Sequence, residues 1–180
     1  GTRAITFAVQ DAEGETAHES TASVTITALN DAPSVTGLNG SLSYSEQSPP
    51  LVIDSDVALR NPDGTGFATG TLTVSVASAD PGDQLTLLSA ADPNVAGAVS
   101  VLGFDVRVGN GSGFDSVGTI DGADNGHNGK SLVIRFSAVV NDEQATLVAQ
   151  AVQFASTSDA PPAGTRAITF AVQDAEGETA

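Results

Sequence analysis

Seventeen residues, GTRAITFAVQDAEGETA from Gly1 to Ala17, recur without a change at Gly164 to Ala180, a period of 163 residues (164 − 1). Chance does not produce an identity of that length within 180 residues, so the sequence is expected to come from a tandem array of near-identical copies. The chain then holds one period plus seventeen residues, cut out of register with the repeat itself. The register follows from where the strands stop. Ser20 to Ala28 (STASVTITA) sets Val24, Ile26 and Ala28 against Thr25 and Thr27, the period of two that marks a strand with one buried face. Leu29, Asn30, Asp31, Ala32 and Pro33 follow. Pro33 has no N–H for a ladder and drives Ala32 into an extended conformation, which reads as a linker. Residues 1–33 are therefore expected to carry the last two strands and the linker of one repeat. Residues 34–180 are expected to be the next repeat, without its final strand.

The same period of two recurs along the chain. Ile5, Phe7 and Val9 share a face, as do Ile168, Phe170 and Val172 in the second copy. Leu72, Val74 and Val76, then Phe104, Val106 and Val108, then Leu132, Ile134 and Phe136 form further sets. Turn-forming residues separate them at Asn61-Pro62-Asp63-Gly64 and Asp80-Pro81-Gly82-Asp83. The long Gly- and Asp-rich stretch from Gly109 to Lys130 reads as turns by the same criterion. One segment departs from the pattern. Asn141 is a good N-cap, Asp142 and Glu143 suit a first helical turn, and Ala145, Leu147, Val148 and Ala151 follow, predicting a short helix over 142–150. The expected fold is all-β, a two-sheet sandwich with that one helical insert packed across an end or edge.

Charge narrows the partners. Asp and Glu number 22 against 6 Lys and Arg, a formal charge of −16, which repels nucleic-acid phosphates and anionic lipid. The acidity serves either solubility or the capture of a cation. Cysteine is absent, so neither disulfides nor thiolate metal sites arise. No apolar run reaches the length of a membrane span.

Several motifs fail on inspection. Asn110 to Val117 nearly matches a calcium-binding nonapeptide of parallel β-rolls, but a single copy cannot build a roll, and a Gly-rich hairpin loop is the expectation. Asp121-Gly122-Ala123-Asp124-Asn125-Gly126 has Ala123 where an EF-hand needs its second ligand and Leu132 where it needs its closing Glu. Asp121 and Asp124 stay open as a local cation site or as turn formers. Asn39 and Asn110 head N-x-S triplets that read as turns. His18 and His127 lie in polar loops without a nucleophile elbow, and the chain has no Trp platform for a sugar. No enzyme is expected.

The run FAVQDAEGETAHESTASVTITALNDAP, Phe7 to Pro33, resembles the end of a cadherin-type repeat: a strand, an Asp-x-x-Gly turn, a Thr/Val-rich strand, and an Asn-Asp linker before Pro. Tyr44-Ser45-Glu46, the acidic turn from Asn61 to Gly66 and the strand GTLTVSV from Gly70 resemble its opening, while residues 80–150 have no such counterpart. The chain as a whole is similar to the cadherin-like repeats of giant bacterial adhesins of the RTX and biofilm type. That resemblance implies an immunoglobulin/cadherin-like sandwich, an extracellular place on a bacterial surface, and Ca²⁺ at the junctions between repeats. Carried over by position, Asn30 and Asp31 would meet Asn61, Asp63 and Asp174 around the ion, with Glu46 serving the following junction and Asp11 the preceding one. The likeness is incomplete, since Ala28, Ala32 and Asn61 stand where the cadherin pattern usually offers Asp, Asn and Asp.

Two functions fit these observations. The leading one is a calcium-stiffened spacer whose partners are neighbouring repeats of its own chain. The alternative is a repeat that itself engages a partner, homophilic or glycan, through Tyr44, Phe67 or Phe114. The absent final strand implies a third relation: residues 1–30 either fold back to complete the sandwich or exchange with another copy, in strand-swapped or end-to-end association.

Overall fold

The alternation of apolar and polar residues becomes strands almost wherever it is regular. The computed structural model describes residues 1–64 and 66–180, and it divides into a small unit, Gly1–Asn30, and a large one, Asp31–Ala180. The small unit is a hairpin of β1 (Thr2–Phe7) and β2 (Ser20–Thr25), paired antiparallel from Thr2 opposite Thr25 to Phe7 opposite Ser20. β2 stops at Thr25, short of the expected Ala28, and Val9 lies beyond the end of β1.

The large unit begins with β3 (Ser34–Thr36), β4 (Leu51–Val52), β5 (Ala58–Arg60) and β6 (Thr71–Val76). It continues through β7 (Asp83–Leu87), β8 (Val99–Leu102), β9 (Asp105–Gly109), β10 (Phe114–Asn125) and β11 (Leu132–Phe136). α1 (Asp142–Gln150), β12 (Val152–Ser156) and β13 (Ile168–Gln173) complete it. Six strands form one antiparallel sheet in the order β13-β6-β11-β10-β9-β8, three form β4-β12-β7, and β3 pairs with β5. Inward residues of the large sheet (Leu72, Val74, Val106, Leu132, Ile134, Phe170, Val172) join Leu85, Leu87, Val152 and Phe154 of the three-stranded sheet in one apolar core. The protein is thus all-β with a single short helix.

That helix occupies Asp142–Gln150, as the cap and the spacing predict. The Asn141 side chain accepts the Gln144 N–H at 2.8 Å, and the Gln144 side chain accepts the Asn141 N–H at 3.3 Å, a reciprocal capping box. Nine residues are too few for a helix to persist alone, so packing holds it. Ala145, Val148 and Ala149 are buried, Thr146 Oγ1 accepts the Leu59 N–H, and Gln150 donates to the Val57 carbonyl.

Three expectations need correction. The stretch Gly109–Lys130 is not a run of turns: twelve of its residues form β10, a central strand between β9 and β11. Its glycines fit close backbone approach and bulges rather than a loop. A Cβ on Gly118 would stand 2.6 Å from the Arg135 carbonyl oxygen, and the register shifts between Ser116 and Gly118 and again between Ile120 and Asn125. Phe104 does not share the buried face of Val106 and Val108. It sits in the two-residue turn between β8 and β9, where Gly103 at φ +63° leaves Phe104 56% exposed. Phe67 is fully buried against Phe136 and offers nothing to a partner.

The repeated seventeen residues form the same turn twice. Asp11 Oδ1 accepts the N–H groups of Glu13 and Glu15, and Asp174 Oδ1 accepts those of Glu176, Gly177 and Glu178. Gln10 and Gln173 each donate from Nε2 to the carbonyl of the turn glycine, Gly14 or Gly177, both of which take positive φ. This turn is locally encoded. Burial is not: Phe7 is 60% exposed, whereas its copy Phe170, opposite Val74 on β6, is 5% exposed.

Candidate cation-binding turns

Acidic and amide side chains gather where β5 ends. Asn61 is buried, and it folds the turn beneath it: Oδ1 accepts the Asp63 N–H at 3.0 Å, and Nδ2 donates to the Gly66 carbonyl at 2.8 Å. The Asn61 N–H donates to both oxygens of Asp142, each at 3.3 Å. Asp63 Oδ2 accepts the Asp31 N–H at 2.9 Å, so the linker residue meets the turn through its backbone. The chain is crowded here. A Cβ on Gly66 would stand 2.3 Å from the Val140 carbonyl oxygen, and one on Gly70 would stand 2.1 Å from that of Gln173. The Gly66–Gly70 turn is therefore wedged between the segment leading into α1 and the end of β13, where Asp174 lies.

Of the seven residues expected to bind a cation, the structure brings Asp31, Asn61 and Asp63 together. Asp174 stands beside the same wedge, 3% exposed, with its Oδ1 committed to its own turn. Asp11 and Asn30 belong to the small unit, where Asp11 serves as a turn former. Glu46 lines a groove of about 770 Å³ with Tyr44, Asp83 and Arg166 rather than the Asn61 turn. Sequence reasoning missed Asp142, which it took only as a first-turn acid of the helix. The signal was present in the helix itself, since an N-terminus packed on a neighbouring turn delivers its first carboxylate there.

The donors are carboxylate and amide oxygens, the kind Ca²⁺ takes, but an ion of six to eight ligands needs more than this turn supplies. Among the described residues no group of three or more His, Cys, Asp or Glu side chains stands ready to hold a metal ion.

A second acidic pair went unmarked in the sequence. Asp54 is buried and accepts the N–H groups of Asn39 at 3.0 Å, Gly40 at 2.7 Å and Asp56 at 3.1 Å. A hydrogen bond from the Asp56 carboxyl and these amides lower the Asp54 pKa from 3.8 to about 2, while sharing that bond raises that of Asp56. The two shifts act oppositely on folding. As pH falls toward 3.8 the folded pair takes up its first proton before the unfolded chain does, which stabilises the fold. Below 3.8 the unfolded chain binds the second proton more readily, and stability is lost as pH falls toward 2. Asp56→Asn, whose amide N–H can donate to Asp54 at every pH, should be more stable than the parent at neutral pH and lose that advantage in acid. Urea unfolding at several pH values reads this out, and an advantage that grows in acid contradicts it.

Asp121 serves its own turn and an ion pair. Asp121 accepts the N–H groups of Ala123 and Asp124 and pairs with Arg135 at 2.9 Å, and these bonds hold its carboxyl below the ordinary value. Asn110 caps the β9–β10 hairpin by accepting the N–H groups of Ser112 and Gly113. Phe114, 40% exposed, carries Arg107 over its ring at 4.3 Å, and Tyr44 packs edge-on against Phe154 with its hydroxyl donating to the Ser48 carbonyl. No helix among the described residues is long and apolar enough to cross a membrane. Comparison with known proteins finds no matching family, no matching curated protein and no matching solved structure.

Proposed function

We propose that the chain is a structural repeat of an extracellular bacterial surface adhesin, a spacer stiffened by Ca²⁺ bound at the Asp31, Asn61 and Asp63 turn. The observation that carries this reading is the unbroken identity of Gly1–Ala17 with Gly164–Ala180 at a period of 163 residues. Near-identical sandwiches in series gain length with each copy, and a divalent ion bound to a linker residue restrains how each copy follows the last. The fixed position of the Asp31 backbone on Asp63 supports the same reading, because it ties the linker to a turn already rich in oxygen donors. Asp142 joins the proposed ligand set from the helix N-terminus.

Calcium titration tests it. An ion that binds only the folded state adds RT ln(1 + [L]/Kd), and extracellular modules bind Ca²⁺ with Kd on the order of 10⁻⁴ to 10⁻³ M. At roughly 10 mM Ca²⁺ the gain is about 1.5 to 3 kcal/mol per site, which is several degrees in Tm. Asp63→Ala should abolish that gain. A melting curve that is the same in EDTA and in Ca²⁺ removes the metal from the proposal and leaves a spacer held by packing alone.

A further inference from the structure

Four asparagines of the chain are followed by glycine: Asn39, Asn110, Asn125 and Asn128. In such a pair the glycine nitrogen, once it gives up its proton, can attack Cγ of the asparagine, because no Cβ on the following residue keeps the two apart. The new N–C bond closes a succinimide ring, and the side-chain nitrogen leaves as ammonia. Water then opens the ring at either carbonyl. The product is Asp or isoaspartate, whose main chain runs through the former side-chain carboxyl. Each event turns a neutral amide into a carboxylate, and water is the only co-reactant.

The reaction waits whenever the glycine N–H is held by another acceptor, since that nitrogen must lose its proton and turn toward the asparagine. The N–H groups of Gly111, Gly126 and Gly129 donate to the backbone carbonyls of Asn94, Ser131 and Asp83, at 3.0, 2.8 and 2.9 Å. Gly40 differs, because its N–H donates to a side chain, Asp54 Oδ2, at 2.7 Å. That bond is short and charge-assisted. The same oxygen accepts the Asn39 N–H at 3.0 Å, and the Asn39 side-chain amide donates to Asp56. Glycine at position 40 is fixed by packing, since a Cβ there would stand 2.8 Å from the Ile53 carbonyl oxygen. The fold therefore requires the reactive pair, and both of its residues are exposed to the water that completes the reaction. Asp54 itself is 7% exposed, a costly place for a carboxylate unless its bonds serve a purpose.

We infer that Asn39 is a latent deamidation site, which the Asp54 carboxylate holds unreactive in the folded protein through the Gly40 N–H. Opening of that bond lets the ring close, and the product sets a third carboxylate beside Asp54 and Asp56. Asp54 lies outside the proposed calcium ligands, so this inference and the calcium reading stand or fall separately.

Incubation at mildly alkaline pH, followed by peptide mapping for Asp and isoaspartate, reads the four sites separately. In the folded parent Asn39 should react at least about tenfold more slowly than in urea, because the reaction then waits on local opening. Asp54→Ala removes the acceptor and should raise the Asn39 rate of the folded protein by at least about tenfold. Asn110, Asn125 and Asn128 should keep their parental rates, since backbone carbonyls hold their glycines. Asp54→Asn keeps the shape of the side chain but offers one oxygen and no charge. It should raise the Asn39 rate by a smaller factor, again without moving the other three sites, and it decides the matter if the alanine variant does not fold. The inference is overturned by a folded parent whose Asn39 reacts as fast as in urea, or by an Asp54→Asn variant whose Asn39 rate equals the parent's. A rise by the same factor at all four sites of that variant overturns it as well, since the protection would then belong to the fold as a whole and not to Asp54.

Discussion

Phe170→Ala is expected to cost the large unit about 3 to 5 kcal/mol, while the same substitution at Phe7 changes stability by less than about 0.5 kcal/mol. The two residues sit in seventeen-residue segments of identical sequence, so intrinsic propensity and local turn chemistry cancel from the comparison. Only tertiary context differs. Phe170 lies on β13 opposite the fully buried Val74, and its ring is part of the core shared with Leu72, Ile134 and Leu132. Removing it leaves a cavity beside β6 and β11, which ladder bonds on both sides hold in place and which cannot collapse to fill it. Phe7 lies on a two-stranded sheet, with its ring largely in solvent. Urea unfolding followed by far-ultraviolet circular dichroism measures both variants, and the Phe170 change should lower Tm on the order of 10 °C. Equal costs at the two positions would mean that the first copy is buried in solution, and the distinction drawn between the copies would be lost.

The same pair of segments shows what the sequence makes legible. The Asp-x-x-Gly turn was readable because it forms from its own side chains: Asp11 and Asp174 accept turn amides in both settings. The helix over 142–150 was readable for the same reason, since Asn141 and Gln144 cap each other. Strands with clean alternation, such as β6 and β11, were readable from Leu72 and Val74 and from Leu132 and Ile134. β10 was not, because its bulges break the period of two and Gly118 answers to a neighbouring strand that lies elsewhere in the sequence. The acidic turn was half legible. Asn61 and Asp63 announce a turn by themselves, whereas Asp142 arrives from 81 residues away through the packing of α1. Asp54 gave no signal, since only the fold brings Asn39 and Gly40 to its carboxylate.

Arg166→Ala is expected to destabilise the large unit by about 3 to 5 kcal/mol, and Arg3→Ala, at the matching position of the first copy, to have almost no effect. Asp83 opens β7 with its side chain 1% exposed. Its Oδ2 accepts the Asp80 N–H at 2.9 Å and meets Arg166 Nε at 2.5 Å, while Oδ1 has no hydrogen-bond partner among the described residues. A carboxylate so placed has given up its hydration, and the guanidinium beside it supplies most of the compensation. Arg166 also donates from Nη1 to the Pro162 carbonyl, which pins the segment between β12 and β13 across the start of β7. Truncating Arg166 removes both anchors and strands the charge. Arg3 is exposed, so its loss leaves no buried carboxylate behind. The decisive comparison is the double variant Asp83→Asn with Arg166→Met. The amide keeps an acceptor for Asp80 without a charge, and Met replaces the aliphatic length of Arg, so the pair should recover a large part of the loss seen in Arg166→Ala. Chemical denaturation of the three variants decides it. If the double variant is no more stable than Arg166→Ala, the loss comes from the Pro162 anchor and from packing, and the stranded charge at Asp83 is not its cause.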